Sequence, residues 1–412
     1  MCFAVQKAED NFNLTPLVAM PFAPLLLAHG ALAFGTTEIA FLAVYAATVL
    51  LAPSHATLIR LAAVIALFAL TCLLQDAFFQ WCSNPHWRGF VAASVPVQLM
   101  SASDIIFITR LSSAAIPGKN IIHRAYKAIV LLLNLRRIGT VWQVKNVPAT
   151  TSLTRSQFLQ ERICTTFVAY LALDAMISGP APPTSMITAR KQTLFDLHTL
   201  SRDDIIFRVA GSLFYWFSGF LLIIIVSNTV AIALVATGLS SPQDRPPLFG
   251  SIKDAYTIRR CWGNVWHQCL RRGLTTHADF VSDKILRIPR GTLLSRYTRI
   301  FIVFIISGII HHVCVRGMGV PSEESGGLVF FPLQALGIMV EDAVQAALVG
   351  KTGFRNAGVR RLFGYVWVVA YLGWSTPTWF YPQSRVGTDA EILLPVRVAR
   401  PLIGKLRGFV KA

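Results

Sequence analysis

Long, nearly uncharged apolar runs dominate this chain, and about 20 such residues are what one helix needs to cross the hydrocarbon layer of a bilayer. Residues 16–34, 39–52 and 58–74 follow one another with linkers of only a few residues, which predicts three hairpin-connected helices. Residues 91–109 make a weaker run, interrupted by Pro96 and ending near Asp104, and residues 163–178 are short and carry Asp174. Residues 205–239 suffice for one tilted span or two abbreviated ones, and residues 299–315, 328–349 and 362–380 supply three more. Together they predict an all-α, polytopic integral membrane protein with about eight or nine transmembrane helices in one integral domain over residues 1–412. No internal repeat of the kind that organises many transporters is visible.

Composition agrees. Of 412 residues, 54% are hydrophobic and 14% charged, against roughly 45–50% and 25% in ordinary soluble domains. A net charge of +18 would suit a nucleic-acid binder, but a mean hydropathy of +0.55 argues against a soluble one, so no nucleic acid is expected as a partner. Seven cysteines (Cys2, Cys72, Cys82, Cys164, Cys261, Cys269 and Cys314) are scattered and never spaced CxxC, which signals neither a disulfide framework nor a zinc site. No metal or redox cofactor is expected. Residues 1–13 carry Glu9 and Asp10 beside a single Lys7 and lack the basic start of a signal peptide, so the first apolar run is expected to stay in the protein. Asn13-Leu14-Thr15 fits a glycosylation acceptor but lies against the first span.

The positive charge is concentrated. Residues 110–162 hold Lys119, Arg124, Lys127, Arg136, Arg137, Lys145 and Arg155 against Glu161, and residues 240–298 hold a comparable set that includes Arg259, Arg260, Arg271 and Arg272. The positive-inside rule makes both segments cytosolic loops. Orientation and attraction to anionic membrane lipid would explain much of this charge; part of it could also meet an anionic cosubstrate, since Arg and Lys are the usual phosphate partners. Lys351, Arg355, Arg360 and Arg361 place the next loop on the same side, whereas the Glu323/Glu324 loop belongs opposite. The tail, with Arg385, Arg397, Arg400, Lys405, Arg407 and Lys411, falls on the wrong side of that rule unless the 362–380 run is re-entrant or the tail is an interfacial helix.

Ionisable groups inside a membrane are costly and mark function by default. His311 lies at the end of Phe301-Ile-Val-Phe-Ile-Ile-Ser307-Gly308-Ile-Ile, one turn beyond Ser307, so the two side chains share a helix face. A neutral imidazole there can accept a proton at neutral pH, as a general base must; hydrogen bonding to a neighbouring helix would be its purely structural use. His312 points about 100° away, so the two cannot both face one pocket in the same way. Residues 254–268 form the second constellation. Trp262 and Trp266 are i, i+4 neighbours if helical, an aromatic face that also suits a membrane interface, with Asn264, His267 and Gln268 beside it.

Pro246-Pro247-Leu248-Phe249-Gly250-Ser251, Arg259-Arg260-Cys261-Trp262-Gly263 with Trp266-His267-Gln268, and Ser307-Gly308 followed by His311 resemble the fungal wax-synthase-like branch of the membrane-bound O-acyltransferases. This branch includes long-chain-alcohol acyltransferases and terpenoid-tailoring O-acetyltransferases. The basic stretch from Asn134 to Pro148, with Arg136, Arg137, Trp142 and Lys145, is similar to the loop such proteins carry. Two positions depart from that pattern: Cys261 stands where Phe is more frequent, and His267 where related enzymes carry Asn.

The resemblance implies a membrane-bound O-acyltransferase fold, integral to the endoplasmic reticulum membrane, and acyl transfer from a CoA thioester to an alcohol without an acyl-enzyme. His311 would be the general base, and His267, Gln268 or Asn264 would donate to the developing oxyanion. Trp262, Trp266, Ser307 and His312 would contact substrate, and Arg259, Arg260 and Lys145 would hold CoA phosphates. Acetyl-CoA, as cosubstrate, and a polycyclic terpenoid or meroterpenoid alcohol are the expected partners, with oligomeric state left open. A wax synthase using fatty acyl-CoA and a long-chain alcohol is the alternative enzyme, and a polytopic transporter the alternative class.

Overall fold

A computed structural model describes residues 23–148, 153–348, 357–387, 392–399 and 401. The Asn13 acceptor motif, the start of the first apolar run, the loop with Lys351 and Arg355, and tail residues 400 and 402–412, apart from Pro401, lie outside the described residues. No strand occurs among the described residues.

The first two apolar runs do not make two spans. They form one helix, α1 (Ala23–Leu51), that passes straight through Gly35-Thr36-Thr37-Glu38. Thr36 returns its hydroxyl to the Leu32 carbonyl (2.9 Å) and Glu38 accepts from Gln98 (2.7 Å), so the polar interruption is satisfied without breaking the helix. α2 (Thr57–Trp81) and α3 (Pro85–Ser103) follow, α3 capped by Asn84 with Pro85 at its first position and continuing as a π-turn over Asp104–Ile108. The two basic segments carry helices of their own: α4 (Ile121–Leu133) in the first, and α7 (Ile258–Arg260) and α8 (Arg271–Phe280) in the second.

The 205–239 run is a single helix, α6 (Arg202–Ala236), started by a Ser201/Asp204 capping box and paired with α5 (Arg155–Ile177). α9 (Leu293–Gly317) and α10 (Gly327–Leu348) pack as an antiparallel pair. The 362–380 run breaks at Thr376-Pro377 into α11 (Ala357–Ser375) and α12 (Pro377–Arg385), because a proline closes the helix before it and opens the next. Among the described residues, six segments are long and apolar enough to cross a membrane: 29–51, 57–81, 85–108, 202–236, 293–317 and 322–348. The expected eight or nine spans are not reached on that measure. α5, with Arg155, Glu161, Arg162 and Asp174, and α11, with Arg360 and Arg361, fall outside it.

Two apolar clusters are the largest among the described residues. One joins α1 to α4 around Phe41, Tyr45, Leu67, Leu74 and Ile106; the other joins α6, α7 and α9 to α12 around Phe330, Phe331 and Trp379. They meet where α3 crosses α9, at a crossing so close that a Cβ on Gly317 would stand 2.8 Å from that of Ala92.

α11 packs beside α6 and α10. Tyr365 donates to the Lys253 carbonyl in the second basic segment, while beyond its other end Arg385 pairs with Glu324. Of the described tail residues, the Val398 and Ala399 amides and Arg397 converge on the buried Asp174 carboxylate of α5.

Candidate active site

The site begins with two glycines. A Cβ on Gly308 of α9 would lie 3.1 Å from the Gly327 carbonyl, and one on Gly327 of α10 would lie 3.2 Å from the Gly308 carbonyl, so the two helix backbones touch. That contact sets what faces what one turn further along. Phe331 stacks on His311 with ring centroids 4.2 Å apart and planes at 26°. Gly308→Val would push α10 away. It is expected to cost about 1–3 kcal/mol in stability and to lower activity with it; an unchanged melting temperature together with unchanged turnover would show that the crossing tolerates a side chain.

His311 Nδ1 lies 2.7 Å from the Ser307 carbonyl oxygen, with Ser307 Oγ 3.5 Å from the same nitrogen. A carbonyl can only accept, so Nδ1 carries the ring proton and Nε2 is left as the acceptor. The ring is clamped between Phe331 and the Trp379 indole (5.2 Å, 87°). His312 turns away: its ring nitrogens meet the Ser325 and Ser322 hydroxyls, tying α9 to the loop before α10.

The tryptophan-rich motif does not form a regular helix. After α7 it widens into a π-turn over Cys261–Val265, closed by the Trp266 amide on the Cys261 carbonyl (2.8 Å). Gln268 locks the turn. Its amide nitrogen donates to the Trp262 and Trp266 carbonyls, and its oxygen accepts from Arg271 (2.8 Å). The tryptophans point inward rather than to a membrane interface. Trp262 packs near Trp216, Phe304, Phe330 and Phe331, and Trp266 near Trp216 (5.0 Å) and Phe249 (5.3 Å). Trp262 Nε1 donates to Gln334 (3.3 Å), a fully buried amide on α10 that also reaches Ser375.

The Pro-Pro-Leu-Phe-Gly-Ser segment is clamped beneath this turn. Arg136 donates to the Pro247 (2.7 Å) and Pro246 (2.6 Å) carbonyls, and Gly250 donates to the Val265 carbonyl. A Cβ on Gly250 would collide with the Asn264 carbonyl at 2.1 Å, so the backbone approach requires glycine. Asn146 donates to the Gly263 carbonyl (3.1 Å) and to Asn264 Oδ1 (2.9 Å), docking the stretch with the exposed Lys145 on the same turn. Asn264 thus faces the basic loop.

His267 follows the turn, with its ring near Trp266 and Phe249. Its Nδ1 is buried without a hydrogen-bond partner. Burial, then the charge of His311, then that of Arg136, push its pKa down to about 4, so the ring is neutral at physiological pH. Both imidazoles border one aromatic cluster: Trp216 meets Trp266, which lies against His267, and Trp379, which lies against His311. Burial pushes the neighbouring Cys261 thiol up to about 12, which leaves no thiolate nucleophile there.

Arg259 and Arg260 sit at α7 with partners already in place: Arg259 pairs with Asp342, and Arg260 with Asp254 (3.2 Å) while covering the Tyr256 ring. Trp216, Phe330 and Phe331 were missed by reading the sequence, because each sits in an apolar helix where nothing local distinguishes a site wall from ordinary core; Gln334, an amide inside the apolar α10, did carry a local signal, and Trp379 lies in the short, mixed α12.

The family model described as "Membrane bound O-acyl transferase family" matches residues 245–333, which run from the clamped proline segment through the π-turn and His311 to Leu333. Acetyltransferase pyr8 of Aspergillus fumigatus is 32% identical over 334 residues, 76% of this chain and 78% of its own length. Acetyltransferase aurG of Calcarisporium arbuscula is 32% identical over 281 residues, 66% and 68% of the two chains. Acetyltransferase spyB of A. fumigatus is 31% identical over 343 residues, 74% of this chain but only 58% of its own length. No solved structure is a significant match. Shared sequence over three quarters of the chain, with the family match centred on this site, makes the protein a member of the membrane bound O-acyl transferase family.

Proposed function

We propose that this integral membrane protein transfers an acetyl group from acetyl-CoA to a hydroxyl of a polycyclic terpenoid or meroterpenoid, with His311 as general base. The observation that carries the mechanism is the 2.7 Å approach of His311 Nδ1 to the Ser307 carbonyl oxygen, which commits the ring proton to Nδ1. Nε2 takes the hydroxyl proton as the alcohol oxygen attacks the thioester carbonyl. The tetrahedral intermediate collapses with cleavage of the C–S bond, and the proton on Nε2 passes to the departing CoA sulfur. His267, with a hydrogen-bonding nitrogen unspent, donates to the oxyanion; Gln268, whose amide is engaged by the backbone, positions the turn. The aromatic walls supply an apolar face for the acceptor. Trp262 and Trp266 line it, Ser307 orients His311, and His312 holds the adjacent loop.

CoA phosphates are assigned to the basic side of the π-turn, with Lys145 exposed there and Arg259 and Arg260 held in place by Asp342 and Asp254. The reading places the protein in the endoplasmic reticulum membrane; the positive-inside rule, which turns the basic segments toward the cytosol where acyl-CoA is supplied, supports that orientation.

Membranes from cells expressing the chain, incubated with labelled acetyl-CoA and a panel of hydroxylated terpenoids, are expected to form labelled ester, with little or none from oleoyl-CoA and long-chain alcohols. The reverse preference would make it a wax synthase, and net uptake of a terpenoid by proteoliposomes without any acyl-CoA would make it a transporter.

His267 also imposes a pH dependence on stability. Its folded pKa of about 4 lies below the ordinary value of about 6.5. As pH falls below about 6.5, the unfolded chain takes up a proton that the folded chain refuses, and stability declines by up to about 1.4 kcal/mol per pH unit until about pH 4. The melting temperature in detergent should therefore fall between pH 7 and 5, and fall less steeply in His267→Asn. Equal slopes would place the titrating groups elsewhere.

A further inference from the structure

Five indoles of the second core differ in one respect. Trp216 donates to Thr376 Oγ1 (2.9 Å), Trp262 to Gln334 and Trp367 to Glu341 (2.9 Å), and Trp374 to the Leu194 carbonyl (2.6 Å). Trp379 is only 6% exposed, yet its Nε1 is buried without a hydrogen-bond partner. Leaving a buried N–H unmet is disfavoured, so natural proteins keep few such groups and those they keep call for a reason.

The position of this indole is over-determined. Its ring stacks on Phe330 (5.4 Å, 22°), meets Phe331 at 5.2 Å and Tyr215 at 5.4 Å, and its own carbonyl accepts from Gln383 (2.8 Å). Gly326, at φ +63°, lets the loop before α10 close on α12, since a Cβ there would overlap the Thr378 carbonyl at 1.8 Å. All of this holds the indole against the His311 ring.

An indole N–H can donate and cannot accept, so its missing partner is an acceptor. Of the oxygens present during the reaction proposed above, the attacking alcohol would lose nucleophilicity by accepting a hydrogen bond, whereas the thioester carbonyl gains negative charge as the bond to the alcohol forms. We propose that Trp379 Nε1–H is a catalytic residue of this site, donating to the thioester carbonyl oxygen and to the oxyanion that replaces it. It forms the second half of an oxyanion hole whose other half is His267. The inference rests on the acyl-transfer reading.

Trp379→Phe keeps the ring and removes the donor. Turnover of the wild-type substrates should fall by roughly 10²-fold, with the KM for acetyl-CoA and the melting temperature little changed. An acceptor-independent reading comes from infrared spectra of acetyl-CoA labelled with 13C at the carbonyl. When it is bound to His311→Gln, its C=O band should lie at lower frequency than when it is bound to the His311→Gln/Trp379→Phe double variant. Identical bands together with unchanged kcat in Trp379→Phe would overturn the Trp379 assignment and leave the acyltransferase reading intact. Failure of the wild type to bind or turn over acetyl-CoA would overturn both. A loss of turnover accompanied by an equal loss of melting temperature, with identical bands, would make Trp379 a packing residue.

Discussion

His311→Gln is expected to lower turnover by roughly 10²–10⁴-fold, while acyl-CoA binding and melting temperature stay near wild type. Gln fills much of the imidazole volume between Phe331 and Trp379, so the aromatic clamp has something to hold. Its amide nitrogen can still reach the Ser307 carbonyl, which keeps that buried acceptor satisfied. The missing feature is a basic nitrogen in the place of Nε2, since the amide oxygen cannot take up a proton at neutral pH. The loss should therefore fall in kcat rather than in KM for acyl-CoA. Stabilisation of the detergent-solubilised protein by acetyl-CoA, which works by mass action on the folded state, reads binding separately from chemistry. Full turnover in this variant would remove His311 from the proton path, and loss of both turnover and acetyl-CoA stabilisation would make it a structural residue.

The contrast between His311 and His312 shows what was legible in the sequence. An imidazole one turn beyond Ser307-Gly308 in an apolar run stands out because charge and polarity are costly there. Adjacent helix positions cannot share a face, so the pair cannot both face the site in the same way. Which one faces it, and what it meets, depends on α10, and the α9–α10 contact depends on Gly327, 19 residues from Gly308 with a loop between. The hydropathy pattern likewise located α2, α6, α9 and α10 but divided α1 in two. It reads Gly35 to Glu38 as a break, whereas a helix accommodates those residues once Glu38 finds Gln98 on α3. The tryptophan motif was visible as composition, not as geometry. Its π-turn comes from one extra residue in the hydrogen-bond ring, and the buried Gln268 that fixes it looks in sequence like another surface amide. Pairing of Arg259 was also out of reach, since Asp342 lies more than 80 residues away on α10.

Asp104→Ala is expected to cost about 3–5 kcal/mol, a large part of the 5–15 kcal/mol or so that holds a typical domain together. The carboxylate is 1% exposed on the π-turn that ends α3. It accepts from Arg272 through Nε (2.9 Å) and Nη2 (3.0 Å), from Arg137 (3.3 Å), and from Thr109 (2.8 Å). The two arginines come from different basic segments, so one acid pins both segments to the helical bundle. Removing it leaves Arg137, 2% exposed, as a buried charge without its counter-ion, and that uncompensated charge is the source of the cost. Arg272 is more exposed and can turn toward solvent. A sharply lower melting temperature is therefore expected for Asp104→Ala, a smaller drop for Asp104→Asn, which still accepts hydrogen bonds, and recovery in Asp104→Leu/Arg137→Met, where charge and counter-charge leave together. Activity should follow stability through the chain itself. Arg136, next to Arg137, holds the carbonyls of Pro246 and Pro247 under the π-turn, so a displaced Arg137 unseats the segment that places His267. If Asp104→Ala melted like the wild type, the two basic segments would have to be held by their helices alone, and the inward turn of these arginines would carry no weight in the fold.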